Sequence, residues 1–401
     1  MQVFKLFAAI TAITTLTLTF SVSAEGSDQN AQGPLKRIEA LRSETKKAGI
    51  DLQLTYTGEV FHSSDLIPDG ATNYRGLVEL ALTLDTAKLG LWRDGEIFVV
   101  GQTGHGQGLD SAAAGNLFPI SNIDAPDFTE VSQYGVNQRF LDGSLQLQAG
   151  KQDVNSLFAV NDFGSQFVNP SYTLISNVPM PTFPAPALGF TLQVEAPAPI
   201  SFDAGIYDGA PKINSLGVDS AFDGKGGYFA IFEPGWKPAF GVDGRYSGNY
   251  RVGLWYHTGD FAETRSTDVV SGNYGVYAMI DQMIYKEPSS GKDLQGMGVF
   301  LQFGWAPADR NPVTRYLGTG FSYTGLLPSR DQDTLGFGIS YSRLAGQLSS
   351  NDERYFTNIE VFYAAAIWAG ITLQPDIQYF SNGGEDGNQG WAVGMRWVLT
   401  Y

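Results

Sequence analysis

An alternation of large apolar residues with small or polar residues limits the fold of this sequence most, and it is clearest in Gly390–Tyr401. Side chains of an extended strand point alternately to its two faces. One face of this stretch carries Trp391, Val393, Met395, Trp397, Leu399 and Tyr401. The other face carries Gly390, Ala392, Gly394, Arg396, Val398 and Thr400. This pattern predicts a strand of an outer-membrane barrel, apolar toward lipid and polar or small toward the lumen. An ordinary edge strand is the alternative for this stretch alone.

Composition narrows the class of protein. Charged residues make up only 16% of the 401 residues, and no apolar run after the N-terminal region reaches the ~20 residues that a membrane helix needs. A membrane protein of this sequence must therefore be a closed barrel, because only helices and closed barrels satisfy the backbone in lipid. The formal charge of -16 argues against a nucleic-acid partner. The absence of cysteine excludes disulfides and thiolate metal sites.

Residues 1–24 read as a secretory signal peptide. Lys5 supplies a positive charge, Leu6 to Phe20 forms an apolar stretch, and Val22-Ser23-Ala24 places small residues at the expected cleavage site. The alternative, a membrane anchor, is weaker because the stretch is short and rich in threonine. Without this peptide the formal charge becomes about -17.

Residues 25–49 are expected to be a periplasmic segment. Leu35, Ile38 and Leu41 stand at helical spacing between Pro34 and Gly49, which predicts a short helix over Pro34–Ala48. A plain linker is the alternative.

Residues 50–401 are interpreted as the barrel. Sixteen strand-like runs begin near Ile50, Tyr74, Glu96, Val131, Ser144, Leu188, Ile200, Gly227, Tyr246, Tyr274, Leu294, Thr314, Asp333, Tyr355, Gly370 and Gly390. Short connectors such as Asp142-Gly143 alternate with long polar ones, as expected for periplasmic turns and outside loops. The sequence therefore predicts an all-β, 16-stranded antiparallel transmembrane barrel. Barrels of 16–18 strands leave an aqueous channel, so passage of small solutes is already implied.

Strand parity assigns a set of polar and charged residues to the lumen, together with one indole. These are Glu59, Arg75, Glu79, Arg139, Arg251, Trp255, Asp281, Glu360, Asp376 and Arg396. Guanidinium donors and carboxylate acceptors suit the hydroxyls of neutral, polyhydroxylated solutes, and the C–H face of a sugar can pack on indole. The alternative is a set of solvated lumen residues with no ligand preference.

The longest interruption of the strand pattern runs from about residue 153 to 187. Its Pro179–Pro186 stretch lacks backbone donors and favours a stiff, extended path. A loop this long is usually functional or disordered. We expect it to fold into the lumen as a constriction that carries Asp153 and Asp162, with Lys151 at its base. An extracellular flap is the alternative.

The last hundred residues resemble the OprB-type carbohydrate-selective porins. The matching stretches there are Gly304–Pro312, Gly325–Pro328, Asp333–Gly338 and Leu373–Tyr379. Earlier matches are Tyr56–Glu59, Lys88–Trp92, Ala149–Asp153 and Asp281-Gln282, so the resemblance covers essentially all of the mature chain.

The resemblance implies a sixteen-stranded outer-membrane porin that passes glucose and related neutral saccharides by facilitated diffusion. It also implies an inward third extracellular loop and a charged eyelet. Charged eyelet residues are expected only at positions within the matching motifs, namely Glu59, Lys151, Asp153, Asp281 and Asp376. Two departures are Lys151, where the family leads us to expect Arg, and Tyr401, where it leads us to expect Phe. Lysine lacks the planar fork of arginine, which leaves sugar selectivity open.

Other functions remain as alternatives. The first is a non-selective diffusion porin, which the negative charge would make cation-preferring. An enzyme is disfavoured because none of His62, His105 and His257 lies in a recognisable hydrolase motif. A structural barrel plugged by its loop is a third class. No metal or cofactor is expected, because the Asp331-Gln332-Asp333 run offers fewer ligands than calcium requires. The expected partners are saccharides and outer-membrane lipid, and association into a homotrimer is left open.

Overall fold

The computed structural model describes residues 42–64, 70–108, 119–196, 199–218, 221, 223, 225–264, 266–287, 295–345, 354–383 and 389–401. The chain divides into two compact units, Met1–Glu44 and Thr45–Tyr401. Residues 42–47 form a short helix, which agrees with the C-terminal part of the predicted helix. The rest of that helix and the predicted signal peptide lie outside the described residues. No helix in the described ranges is long and apolar enough to cross a bilayer.

The regular secondary structure described in the second unit is almost entirely antiparallel sheet. Its wall strands are β1 Ile50–Ser64, β2 Ala71–Asp85, β3 Gly95–Gly106, β4 Phe128–Phe140, β5 Leu145–Gln152, β6 Ala187–Glu195, β7 Ile200–Asp208, β8 Tyr228–Trp236, β9 Tyr246–Ala262, β10 Val269–Lys286, β11 Gly296–Trp305, β12 Val313–Thr324, β13 Thr334–Leu344, β14 Tyr355–Trp368, β15 Ile371–Gly383 and β16 Gln389–Thr400.

The strands close into a barrel. Each wall strand pairs with its neighbours in sequence, and β1 also pairs with β16 from Thr55 opposite Thr400 to Ser64 opposite Trp391. The sheet contains 17 strands in the described chain, but the two-residue strand Ala239–Phe240 pairs only with the start of β9. The wall therefore has 16 strands, as predicted.

The predicted strand starts agree closely with the observed ones. The largest displacement is in β10, which was expected near Tyr274 and begins at Val269. The β9–β10 ladder has an irregularity between His257 and Asp260, and the two strands continue pairing beyond it. A bulge of this kind breaks the regular alternation, which explains why parity placed the start too late.

The two faces of the wall differ as the alternation predicts. In β16, Trp391 and Val393 are each 49% exposed on the outer face, whereas Ala392 and Arg396 on the inner face are buried. The same contrast recurs around the barrel, with exposed Leu, Phe, Tyr and Trp outside and buried polar residues inside. The outer face therefore suits lipid, and the inner face suits water and polar contacts.

Tight turns and long connections occupy opposite ends of the barrel. One end has short turns such as Leu141–Gly143, where three residues adopt positive φ, and the bend at Gly370 with φ of 76°. The other end has the longer connections, including residues 153–186. Residues 197–198 of the predicted Pro197–Pro199 turn lie outside the described residues.

Candidate pore constriction

The connection between β5 and β6 lies against the inner wall of the barrel. Phe158, Phe167 and Tyr172 in this connection are fully buried. The Tyr172 hydroxyl donates to the Asn358 carbonyl at 3.0 Å, and the Tyr316 hydroxyl of β12 donates to the Ser171 carbonyl. These contacts join the connection to strands on the far side of the lumen. We call residues 153–186 the inner loop.

Three wall carboxylates accept hydrogen bonds from backbone amides of the inner loop. Glu233 Oε2 of β8 accepts from the Ala159 N–H at 2.9 Å. Asp281 Oδ1 of β10 accepts from the Phe163 N–H at 3.2 Å. Glu360 of β14 accepts from Val168 and Asn169 at 2.7 and 2.9 Å.

These hydrogen bonds offset the main free-energy cost of placing a loop inside a barrel. A buried loop exposes backbone N–H groups that have no ladder partner, and an unpaired buried donor is unfavourable. The three carboxylates therefore serve first as loop anchors, and all three are buried away from a solute.

Aromatic packing supports the same attachment. The Phe167 ring lies 4.5 Å from Tyr172, 4.9 Å from Phe362 and 5.5 Å from Phe300, measured between centroids. Edge-to-face rings at such separations add stabilisation beyond the buried area. The loop is thus packed onto β11 and β14 as well as hydrogen-bonded to the wall.

Asp153 joins the two ends of the inner loop. Its carboxylate accepts from Thr182 Oγ1 at 2.7 Å, from the Phe183 N–H at 3.3 Å and from the Asn155 N–H at 3.0 Å. Burial raises the pKa of the Asp153 carboxyl, although these hydrogen bonds oppose the increase. The structure places the predicted constriction residue Asp153 at the loop's base, where it fastens residue 153 to residues 182–183.

Asp162 is the predicted loop carboxylate that stays exposed to solvent. It accepts from Asn249 Nδ2 of β9 at 3.1 Å, so it lies within the lumen beside the wall. Its neighbour Phe163 binds Asp281, whose other oxygen accepts from Arg251 Nη2 at 2.7 Å. Asp162 therefore adds an accessible negative charge next to a buried ion pair.

A row of alternating charges crosses β2, β1 and β16. Glu59 stands opposite both Arg75 and Arg396 in the strand register. Arg396 contacts Glu59 at 2.9 Å, and both side chains are buried. Arg75 instead donates to the Gly106 and Pro126 carbonyls at 2.9 and 3.1 Å.

A second inward segment, residues 119–127, covers this row and was not predicted. Arg396 Nη2 donates to Ser121 Oγ at 3.0 Å and to Asn122 Oδ1 at 2.7 Å. The Asn122 N–H donates in turn to the Val168 carbonyl of the inner loop at 2.8 Å. The alternation of short and long connectors predicts an outside loop for the whole β3–β4 connection. Ile120 and Ile123 are apolar residues within this connection, and they were the sequence signal that part of it packs inward. Both are buried.

Trp255 does not line an open passage. Parity correctly placed it on the inner face of β9, but only 3% of its surface is exposed. It packs in the buried cluster that contains Val154 and Phe158 of the inner loop, and its ring lies 6.4 Å from Phe229. The predicted sugar-stacking role of Trp255 is corrected because the loop covers the indole.

Lys151 lies on the outer face of β5. It shares the parity of Leu147, which is 43% exposed on that face. Its Nζ donates to the Ser215 carbonyl at 2.7 Å and contacts Glu130 Oε2 at 3.3 Å. The expectation that Lys151 stands at the eyelet is therefore corrected: its charge is neutralised beneath the β7–β8 connection.

The remaining predicted residues also have partners. Glu79 is half-buried and accepts from Gln102 Nε2 at 2.7 Å. Arg139 pairs with Glu96 at 2.9 Å near the tight-turn end. Asp376 is buried and accepts from Gln378 Nε2 at 2.9 Å.

Glu233 is a loop anchor that was not among the predicted lumen residues. It alternates with the exposed Phe232 along β8, so parity would have assigned it to the lumen.

No group of three or more His, Asp and Glu residues in the described chain could hold a metal ion.

The fold and this loop define a class of protein: an outer-membrane channel whose lumen is occupied in part by a packed inner loop. The chain belongs to the carbohydrate-selective porin (OprB) family, whose sequence profile matches residues 70–401. It is similar to porin B of Pseudomonas aeruginosa, with 22% identity and coverage of 90% of this chain and 89% of the relative. These relatives are channels, and the protein is a channel of the outer membrane rather than an enzyme.

Solved structures give the same fold. The high-pH structure of Pseudomonas putida OprB matches with a TM-score of 0.78 at 19% identity, covering 91% of this chain and 97% of that one. OmpT of Vibrio cholerae in its trimer form matches with a TM-score of 0.53 at 9% identity, covering 88% of this chain and 99% of that one.

Proposed function

We propose that this porin passes glucose and related neutral saccharides by facilitated diffusion beside the inner loop. The observation that carries the proposal is the asymmetric filling of the lumen. The loop is anchored to β8, β10 and β14, so it occupies that side of the barrel. Some lumen-facing residues of β4–β6 keep partial exposure and are proposed to border the remaining space, although others on the same wall, such as Gln152 and Tyr207, are buried.

The chemistry of that side suits uncharged polyols. Gln133, Gln146, Gln148 and Gln193 are all partly exposed there, and Gln146 donates to Gln193 at 3.0 Å. A carboxamide offers both an acceptor oxygen and a donor N–H₂, so it can exchange hydrogen bonds with sugar hydroxyls without selecting a charge.

The charged constriction is part of the same proposal, in a form revised by the structure. Asp162 supplies the exposed loop charge, whereas the oxygens of Asp281 are bonded to the Phe163 amide and the Arg251 guanidinium. The proposed narrow point then lies between the exposed Asp162 carboxylate of the loop and the glutamine side-chain carboxamides of the facing wall.

Single-channel current in a planar bilayer tests the function. Titration with glucose should produce concentration-dependent block or noise that a non-sugar solute of the same size does not. Replacing Gln146 and Gln193 with Ala should weaken this block, while Gln389→Ala, which shares the outward parity of Trp391 in β16, should leave it unchanged. Steady conductance that is indifferent to sugar would favour general diffusion.

We also propose that three barrels associate through the β4–β7 side. Strands β5 to β8 have 8, 9, 9 and 9 residues and are the shortest of the wall, at or just below the lower limit of about 9–11 for a lipid-spanning strand. An apolar groove of about 570 Å³ crosses the outer face there, lined by residues that include Leu147, Phe190 and Ile206. A protein neighbour would cover this short wall better than lipid. Cross-linking with a trifunctional maleimide from Cys introduced at Phe190 should give trimers, and monomers alone would refute the association.

A further inference from the structure

We propose that Asp203 selects against sugar acids, so that the channel passes neutral saccharides far faster than saccharides that carry a carboxylate. The inference rests on the proposed function, because it names a residue that selects among sugars on the proposed path. Asp203 lies on β7, directly opposite Gln193 of β6 on one side and Glu233 of β8 on the other. Its carboxylate accepts a hydrogen bond from the Gln193 side chain.

Strand parity and exposure place the Asp203 side chain in the lumen. Asp203 alternates with Phe202, which is 42% exposed on the outer face, and it keeps partial exposure itself. Tyr207, four residues further along the inner face, is buried and packs edge-to-face on Phe158 of the inner loop. The accessible part of Asp203 therefore faces the lumen on the tight-turn side of the inner loop.

Glu233 places Asp203 beside the root of the inner loop. The buried Glu233 carboxylate accepts from the Ala159 N–H of the loop at 2.9 Å. Like charges directly opposite each other on neighbouring strands are unfavourable, and a solute carboxylate here would add another negative charge beside these two. A neutral sugar meets no such repulsion, because its hydroxyls donate to the Asp203 carboxylate and exchange hydrogen bonds with Gln193.

Nearby cations leave the charge of Asp203 uncompensated. Lys237 is bonded to Glu195 at 2.5 Å, and Arg251 of the neighbouring β9 is bonded to Asp281 at 2.7 Å. Within the described ranges, neither cation forms an ion pair with Asp203. Charge of one sign on the low-dielectric wall of a narrow passage concentrates the field that acts on a solute. A sugar acid is therefore repelled at this level of the lumen.

Influx of radiolabelled sugars into liposomes that contain the barrel tests the inference. The three sugars are glucose, glucuronate and the methyl ester of glucuronic acid, compared at about pH 8, where carboxylates are ionised, and at zero membrane potential. The ester keeps the ring of glucuronate without its charge. In low salt, glucose and the ester should enter at similar rates, and glucuronate at least about fivefold more slowly. Raising the salt from about 0.1 M to about 1 M should speed glucuronate alone, because the screening length falls from about 10 Å to about 3 Å.

Variants assign the effect to Asp203. Asp203→Asn keeps the shape and one acceptor oxygen, so glucuronate influx should rise at least about threefold while glucose influx changes less than about twofold. Asp203→Glu keeps the charge and should keep the selection. Glu79→Gln is the matched control, because Glu79 is a partly exposed lumen carboxylate on β2, bonded to Gln102 and remote in the strand order from β7.

Equal influx of glucuronate and its ester into liposomes with the unaltered protein would overturn the inference. So would unchanged glucuronate influx in Asp203→Asn, or an equal rise in Glu79→Gln. Slow entry of the ester together with glucuronate would show selection by size and would also overturn it. All of these results leave the proposed function standing, because glucose still enters. An absence of glucose influx through a folded barrel would instead refute the proposed function, and this inference with it.

Discussion

At the scale of single residues, the buried carboxylates of the lumen act on the inner loop before they act on any solute. Glu360 shows this most clearly, because each of its oxygens accepts one backbone amide, from Val168 and from Asn169. An acceptor so placed is filled in the folded protein. The lumen charges that parity identifies are thus largely parts of the scaffold.

Glu360→Gln tests this role. Glutamine keeps the shape but replaces one acceptor oxygen with a donor, so one loop amide loses its partner. Leaving a buried group unsatisfied costs about 1–3 kcal/mol, and we expect the free energy of unfolding in denaturant to fall by about that amount. The control is Glu195→Gln, which removes an exposed charge paired with Lys237. Equal stability of the two variants would contradict the anchoring role.

Asp333 makes a similar node in the turn between β12 and β13. Its carboxylate accepts from Arg330 Nε at 2.7 Å and from the Ala366 N–H at 3.0 Å, and it also binds the Tyr363 hydroxyl. Burial alone would raise the pKa of Asp333, but these hydrogen bonds outweigh it and lower the pKa.

The lowered pKa predicts a dependence of stability on acid pH. Because the folded-state pKa lies below the ordinary value of about 3.9, the stabilisation is present above that value and is lost as the pH falls through the folded pKa. Asp333→Asn should therefore lower the thermal unfolding temperature at neutral pH and flatten its fall in acid. Asp331→Asn, at an exposed neighbour, should do neither. An unchanged acid profile in Asp333→Asn would argue against this node.

The face and the burial of a residue could be predicted from the sequence only where strand parity alone determined them. Glu59 and Arg396 were assigned to the lumen correctly because both lie in regular, paired stretches. Trp255 was assigned to the correct face, but its burial depends on a loop that is remote in sequence. Lys151 was misplaced because its position at the base of the loop was taken to bring it to the eyelet, whereas its parity in β5 puts it on the outer face.

At the scale of elements, we propose that the inner loop sets how wide the channel is. Its length and proline content allowed its inward course to be predicted, but its anchors could not be, because they come from β8, β10 and β14. The inward segment at residues 119–127 has no such length signal of its own, since it is one part of a longer polar connection. Both segments are specified by tertiary pairing of buried amides rather than by local pattern.

Shortening the inner loop tests its control of conductance. We would replace residues 161–175 with Gly-Ser-Gly, which removes the wall contacts of Phe163 to Tyr172 but keeps Asp153 bonded to Thr182. Single-channel conductance should increase because this part of the loop no longer fills the lumen. The paired substitution Ser165→Ala/Gln166→Ala, at exposed loop positions, is the control. Unchanged conductance in a folded, shortened barrel would mean that another segment sets the narrow point.

At the scale of the whole molecule, the formal charge of -16 should affect ions and sugars differently. A negative lumen attracts cations over distances set by salt, about 10 Å at 0.1 M and about 3 Å at 1 M. A neutral saccharide carries no charge for this field to act on.

Reversal potentials across a KCl gradient should thus show cation preference at low salt that fades at high salt, while glucose influx into liposomes stays constant. Asp162→Asn should reduce the cation preference, because Asp162 is the exposed loop carboxylate. Glucose influx that falls in parallel with the cation preference as salt is raised would show that the two share one electrostatic barrier, contrary to a pathway selective for neutral sugars.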